Sequence, residues 1–212
     1  MQALTEITTT IALTMGVAWA SGINLYATLL VLGLLANTGN IDLPPDLRIV
    51  ADPLVMTAAG FMYFVEFFAD KVPGVDSGWD AIHTFIRIPA GAILAAGAVG
   101  EIGPAAQVAA ALAGGSLSAA SHATKAGSRV MINTSPEPFS NWAASIAEDI
   151  ATVAGLWAAL YHPIVFLILL VLFILACIWL LPKLWNGIKK VFRFLGGRFG
   201  KQEYPASQDH LK

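Results

Sequence analysis

The sequence predicts an all-α, polytopic integral membrane bundle of about six transmembrane helices, and three observations carry that prediction. Hydrophobic residues make up 57% of the chain and charged residues only 12%, against about 25% charged in a soluble domain. At 212 residues the chain holds about six spans of ~20 residues with short connections and no separate soluble domain. The apolar runs are also punctuated by Gly/Pro/Asn/Asp turns. The net charge of −2 is uninformative, because in a membrane protein the placement of charge matters more than its sum. The single cysteine, Cys177, excludes a disulfide framework and a cysteine metal cluster. No basic region precedes the first apolar run and no cleavage site follows it, so it reads as mature chain rather than signal peptide.

The first apolar region, Ile7 to Ala36, is too long for one straight span. Ser21-Gly22-Ile23-Asn24 interrupts it. Glycine weakens the helix there and Asn24 needs a hydrogen-bonding partner in lipid, which predicts a kink or a break. The stretch Asn37 to Asp52, with Pro44-Pro45, is a loop. The second span runs from Pro53 to Asp70 and carries Glu66 and Asp70 at i, i+4 on its last turn. Lys71 to Gly78 reads as a turn. The third span starts near Trp79, presents Asp80, His83 and Arg87 on one face before Pro89, which frees the Phe85 carbonyl as a backbone acceptor near Arg87, and ends near Gly100.

The fourth span, Pro104 to Lys125, is almost entirely Ala, Gly and Ser. Such a helix permits close backbone approach and belongs in the centre of a bundle. The fifth covers Phe139 to Tyr161. The sixth, Pro163 to Pro182, is apolar on every face and belongs at the lipid-facing periphery. The boundaries expected are a transmembrane domain over 1–185, a basic amphipathic interfacial segment over 186–201, and a disordered tail over 202–212. The basic segment belongs in the cytoplasm. Counting back six spans puts the Lys71 turn, the Lys125/Arg129 region and the N-terminus there too. Ala59-Gly60 with Lys71 and Ala113-Gly114 with Lys125 stand at a constant offset, which suggests a two-helix internal repeat.

Charge at membrane depth is costly and is usually kept for a task. His122, Lys125 and Arg129 fall at i, i+3 and i+7, one face of a helix that continues that far. A turn with Asn133 to Pro138 follows, then a helix bearing Asn141, Ser145, Glu148 and Asp149. The candidate ion- or solute-binding residues are Asn24, Glu66, Asp70, Lys71, Asp80, His83, Arg87, His122, Lys125, Arg129, Asn141, Glu148 and Asp149. Converging, their faces would form a polar funnel open to the cytoplasm. The outer acids Asp76, Asp80 and Glu137 also fit plain structural pairing. No catalytic residue, metal site or cofactor is expected, since no close-spaced metal signature is present and adjacent Ser121-His122 is not triad geometry.

Gly22-Ile23-Asn24-Leu25-Tyr26, Ala69-Asp70-Lys71-Val72-Pro73-Gly74-Val75-Asp76-Ser77 and Ser135-Pro136-Glu137-Pro138-Phe139 resemble the marks of a bacterial integral-membrane family of unknown function, recognised by its Ser-Pro-Glu-Pro motif. The resemblance covers Ala18 to Ala159, leaving the sixth span and basic tail as an appendage, and implies no substrate or reaction. The leading functional expectation is a small transporter or channel for an ion or small charged solute, with His83 or His122 and Glu148 available for proton coupling. The alternatives are a membrane enzyme or carrier acting on a lipid phosphate held by Lys125 and Arg129, and a structural assembly protein. Expected partners are the lipid bilayer, anionic lipid at the basic segment, and the ion or solute. A homo-oligomer is compatible with the sequence, and nucleic acid is not expected.

Overall fold

The structure, a computed structural model, describes residues 2–134 and 139–199. The Ser-Pro-Glu-Pro turn at 135–138, with Glu137, and the tail at 200–212 lie outside the described residues. Within them every regular element is helical: α1 (Gln2–Asn37), a 3-10 turn (Pro45–Ala51), α2 (Pro53–Ala69), α3 (Val75–Val99), a short 3-10 turn (Gly100–Ile102), α4 (Pro104–Ile132), α5 (Phe139–Tyr161) and α6 (Pro163–Phe199). Length and apolarity qualify four of these to cross a membrane: α1, α3, α5 and the Pro163–Lys190 part of α6. The first 3-10 turn and α2, bent by 60°, make a fifth. The Ala/Gly/Ser-rich α4 is long enough but is not among them.

Local chemistry sets the ends. Asp52 caps α2, its side chain accepting from the Leu54 and Val55 amides, and Pro53 fills the first helical position. Helix α3 starts at Val75, four residues earlier than the expected Trp79, because Gly74 (φ 86°) turns the chain and Asp76 Oδ1 accepts from the Gly74 and Ser77 amides. Helix α4 runs past Lys125 to Ile132, so Arg129 stays on the face of His122 and Lys125. Pro182 lies inside α6, which continues as one helix through Lys183, Lys189, Lys190 and Arg193.

Helix α1 breaks at Asn24, whose backbone is extended (φ −144°, ψ 96°). Asn24 Oδ1 accepts from the Ala27 amide at 3.0 Å, so Asn24 is the N-cap of a new helix over residues 25–37. The two halves then run to the same end of the bundle. Thr8 shares a cavity with Pro163 at the α5–α6 turn, and Tyr161 of that turn donates to the Asn40 carbonyl at 3.5 Å. Along α3, Tyr26 meets His83 and Ile23 meets Arg87; a Cβ on Gly91 would meet Ser21, so the first half climbs back from the break. Residues 25–37 climb beside α2, Gly33 lying against Met56. Within the bundle the start of the chain therefore lies at the end away from the Lys71 turn, because the break at Asn24 folds α1 back on itself.

Small residues allow the close packing that holds this reversal. A Cβ added at Gly22 would meet the Ser118 backbone and Ser121, and one at Gly114 would meet the side chains of Ala95 and Ala18. Helix α4 thus sits centrally, pressed between α1 and α3. Helix α6 turns Ile164, Ile168, Leu172, Leu175 and Ile178 outward, while Phe166, Leu170 and Cys177 are buried. It is peripheral, but packed: Trp19 lies edge-on to Phe166 and Phe173.

Candidate functional site

The break in α1 places two helix ends in the middle of the protein. Residues 2–23 end with carbonyls that have no helical partner ahead of them, and cations meet them. The Ile23 carbonyl accepts from Arg87 Nη1 at 3.0 Å and from Lys125 Nζ at 3.2 Å. Ser121 Oγ donates to the Trp19 carbonyl. At the start of the second half, Asn24 Nδ2 donates to Asp149 Oδ1 at 2.9 Å, placing a carboxylate by a helix N-terminus. Both polarities suit the helix dipoles.

Around this junction four helices deliver an ion network. Arg87 Nη2 reaches Glu66 Oε1 at 2.5 Å, and Arg87 Nη1 lies 3.3 Å from Asp80 Oδ1. Lys125 Nζ lies 3.2 Å from Glu66, 2.9 Å from Asp70, 3.8 Å from Asp80 and 3.4 Å from Glu148. Arg129 forks onto both oxygens of Glu148 at 3.1 and 2.7 Å, and its Nη1 donates to the carbonyls of Asp70 and Asn141. Three cations thus face four carboxylates. Six of the seven side chains are at most 4% exposed; Glu148 is 18% exposed. The expected open funnel is corrected: the charged faces converge and close over one another, because each cation is taken by carboxylates from neighbouring helices.

The remaining candidates arrange themselves around the network. His122 Nδ1 lies 3.3 Å from Arg87 Nη1, which can only donate, so its Nε2–H faces the Asp80 carbonyl at 3.1 Å and Thr84 Oγ1 at 2.8 Å. His83 stands apart from the ions. It stacks on Trp79, donates from Nδ1 to the Trp79 carbonyl and accepts at Nε2 from Tyr26. Lys71 does not enter the network either; its Nζ lies over the Phe67 ring, donates to the Phe67 carbonyl and reaches Ser145. Asn141 is fully buried and bonds Asn133, which also holds both oxygens of Asp76. Asp76 is itself fully buried.

A family described as a domain of unknown function (DUF4126) matches residues 11–183. The chain belongs to the DUF4126 family. No curated protein and no solved structure matches it. The match runs beyond Ala159 to Lys183, so in this DUF4126 protein most of the apolar part of α6 lies inside the family domain. The expectation of an appendage is corrected, and the packing of Phe166 and Leu170 against α1 and α5 gives the physical reason.

One side of the DUF4126 network is reachable. A cavity of about 250 Å³, lined by Ile23, Ser121, Thr124, Lys125, Ser128 and Glu148 with Phe173 of α6, touches the network at Lys125 and Glu148. An adjoining apolar cavity, also about 250 Å³, lies under Trp19 and Phe166. Among the described residues no three His, Cys, Asp or Glu side chains converge as metal ligands. Two contributors escaped the sequence reading: the Ile23 carbonyl, which only a broken helix leaves open, and Thr84, an ordinary helical threonine until His122 is set beside it.

Proposed function

We propose that this DUF4126 protein is a multi-pass membrane transporter or channel for an ion or small charged solute. The observation that carries the reading is the broken α1, whose two ends meet Arg87, Lys125 and Asp149 deep in the bundle. Discontinuous helices in a membrane expose backbone dipoles where a charged species is bound near the bilayer midplane. A purely structural core gains little from such a break, and a buried ion network is weak support for stability alone. The closed network with one accessible edge at Glu148 fits a resting state, and the Asn24 junction is the natural hinge.

What supports a lipid-phosphate role is thinner. Lys125 and Arg129 are each held by carboxylates already, so neither presents free donors to a phosphate. The offset between Lys71 and Lys125 still favours a duplication, although the two lysines occupy different surroundings.

In the membrane, α1 enters and returns from one face, and α2 to α6 make five crossings. The end bearing Lys183, Lys189, Lys190 and Arg193 is cytoplasmic by the positive-inside rule, in a bacterial inner membrane, with anionic lipid against the basic turns of α6. The opposite end carries Asp42, Asp46 and Asp52, with Arg48 as the one arginine or lysine among its described residues. The direct test is flux through purified protein in proteoliposomes across protons, alkali cations and small anions. Selective flux that Glu148→Gln abolishes is the expected result. A protein that passes none of the panel overturns the reading.

A further inference from the structure

We infer that the network's exchangeable ligand is a proton, carried by the Asp80 carboxyl. The inference rests on the transport reading for its purpose, but its chemistry stands on the network itself. Arg87, Lys125 and Arg129 supply three positive charges against Glu66, Asp70, Asp80 and Glu148. Adding Lys71 and Asp149, which lie beside the network, leaves the same excess of one negative charge. An uncompensated carboxylate buried this deeply takes up a positive partner. Metal ions are poorly served, because no three suitable side chains converge. A proton needs only one bare oxygen.

The hydrogen bonds single out which oxygen. Glu66 Oε1 accepts from Arg87 and Lys125, Asp70 Oδ2 from Lys125, and both Glu148 oxygens from Arg129. Asp80 alone among the four has no hydrogen-bond donor on either carboxylate oxygen, although its residue is 1% exposed. Its contacts to Arg87 and Lys125, at 3.3 and 3.8 Å, are electrostatic only. The charged groups acting on it are Arg87 from its own helix, Asp70 at the end of α2, Lys125 from α4 and Glu148 from α5, while His122 of α4 faces its backbone carbonyl. Protonation forms one O–H bond on Asp80 and breaks one in the hydronium ion of the aqueous phase that supplies the proton, which is left as water. It leaves three cations opposite three carboxylates. Glu148, at the cavity edge, is the port through which the proton arrives.

Infrared difference spectroscopy of the purified protein in lipid, stepped in pH, reads the proton directly. A carbonyl band of a protonated, buried carboxylic acid should be present, and Asp80→Asn should abolish it while Asp70→Asn leaves it. Asp80→Asn replaces a neutral acid with a neutral amide, so its melting temperature should match the parent, whereas Glu66→Gln strips Arg87 of its closest partner and should melt well below it. A band that survives Asp80→Asn, or an Asp80→Asn protein that fails to fold, overturns the assignment. The band is scored separately from flux: a band lost with Asp80→Asn in a protein that transports nothing upholds the proton site and fails the transport reading. Flux with an unchanged band does the reverse.

Discussion

Lys125 donates to the carbonyl oxygen of Ile23 at 3.2 Å, tying α4 to the last open carbonyl before the break in α1. The same ammonium is within 4 Å of four carboxylates, so removing it uncovers acid and backbone together. Lys125→Met should lower stability by about 3–5 kcal/mol, the usual cost of leaving a buried charge without its partner. Thermal unfolding in detergent measures it. A melting temperature unchanged from the parent would mean that water rescreens the carboxylates and that the network is wet.

Packing around the break has its own test. Any Cβ at Gly22 enters Ser118 and Ser121, and one at Gly114 enters Ala95. Gly22→Leu and Gly114→Leu should each destabilise by at least about 1–3 kcal/mol through overpacking, seen as reduced folded yield on size-exclusion chromatography. Leu169→Ala, on the outward face of α6 where Leu169 is 54% exposed, should be close to neutral. Equal yields from all three would remove α4 from the centre of the bundle.

Truncation probes α6. Ending the chain at Tyr161 strips Phe166 and Leu170 from Ala12, Ala158 and Ala159, and leaves Trp19 without its two ring partners. The five-helix remainder should lose most of its folded yield, while a chain ending after Lys190 should keep it. A stable, monodisperse product ending at Tyr161 would show that α6 is dispensable to the fold.

Sidedness distinguishes a returning α1 from a crossing one. In a Cys177→Ser background, single cysteines at Gln2 and Asn40 should label from the outside of intact cells, and ones at Val75 and Lys189 only after permeabilisation. Gln2 and Asn40 labelling from opposite sides would restore a single crossing by α1 and sink the five-crossing arrangement.

The composition and the spacing of apolar runs determined the helical membrane class by themselves, since a chain this poor in charge must satisfy its backbone within helices once in lipid. Gly22 and Asn24 announced the break, and the i, i+3, i+7 spacing put His122, Lys125 and Arg129 on one face, because both are local properties of a helix. Local properties could not tell which way the chain leaves the break. That direction was decided by where residues 2–23 and 25–37 find packing partners, against α5 and α6 for one half and α2 for the other. Nor did spacing separate His83 from His122. Both lie on charged faces in the sequence, yet Trp79 and Tyr26 take one while Arg87 and Asp80 take the other. Which charges pair, and which carboxylate is left without a donor, depends on angstrom-scale distances between helices, and only the tertiary structure sets those.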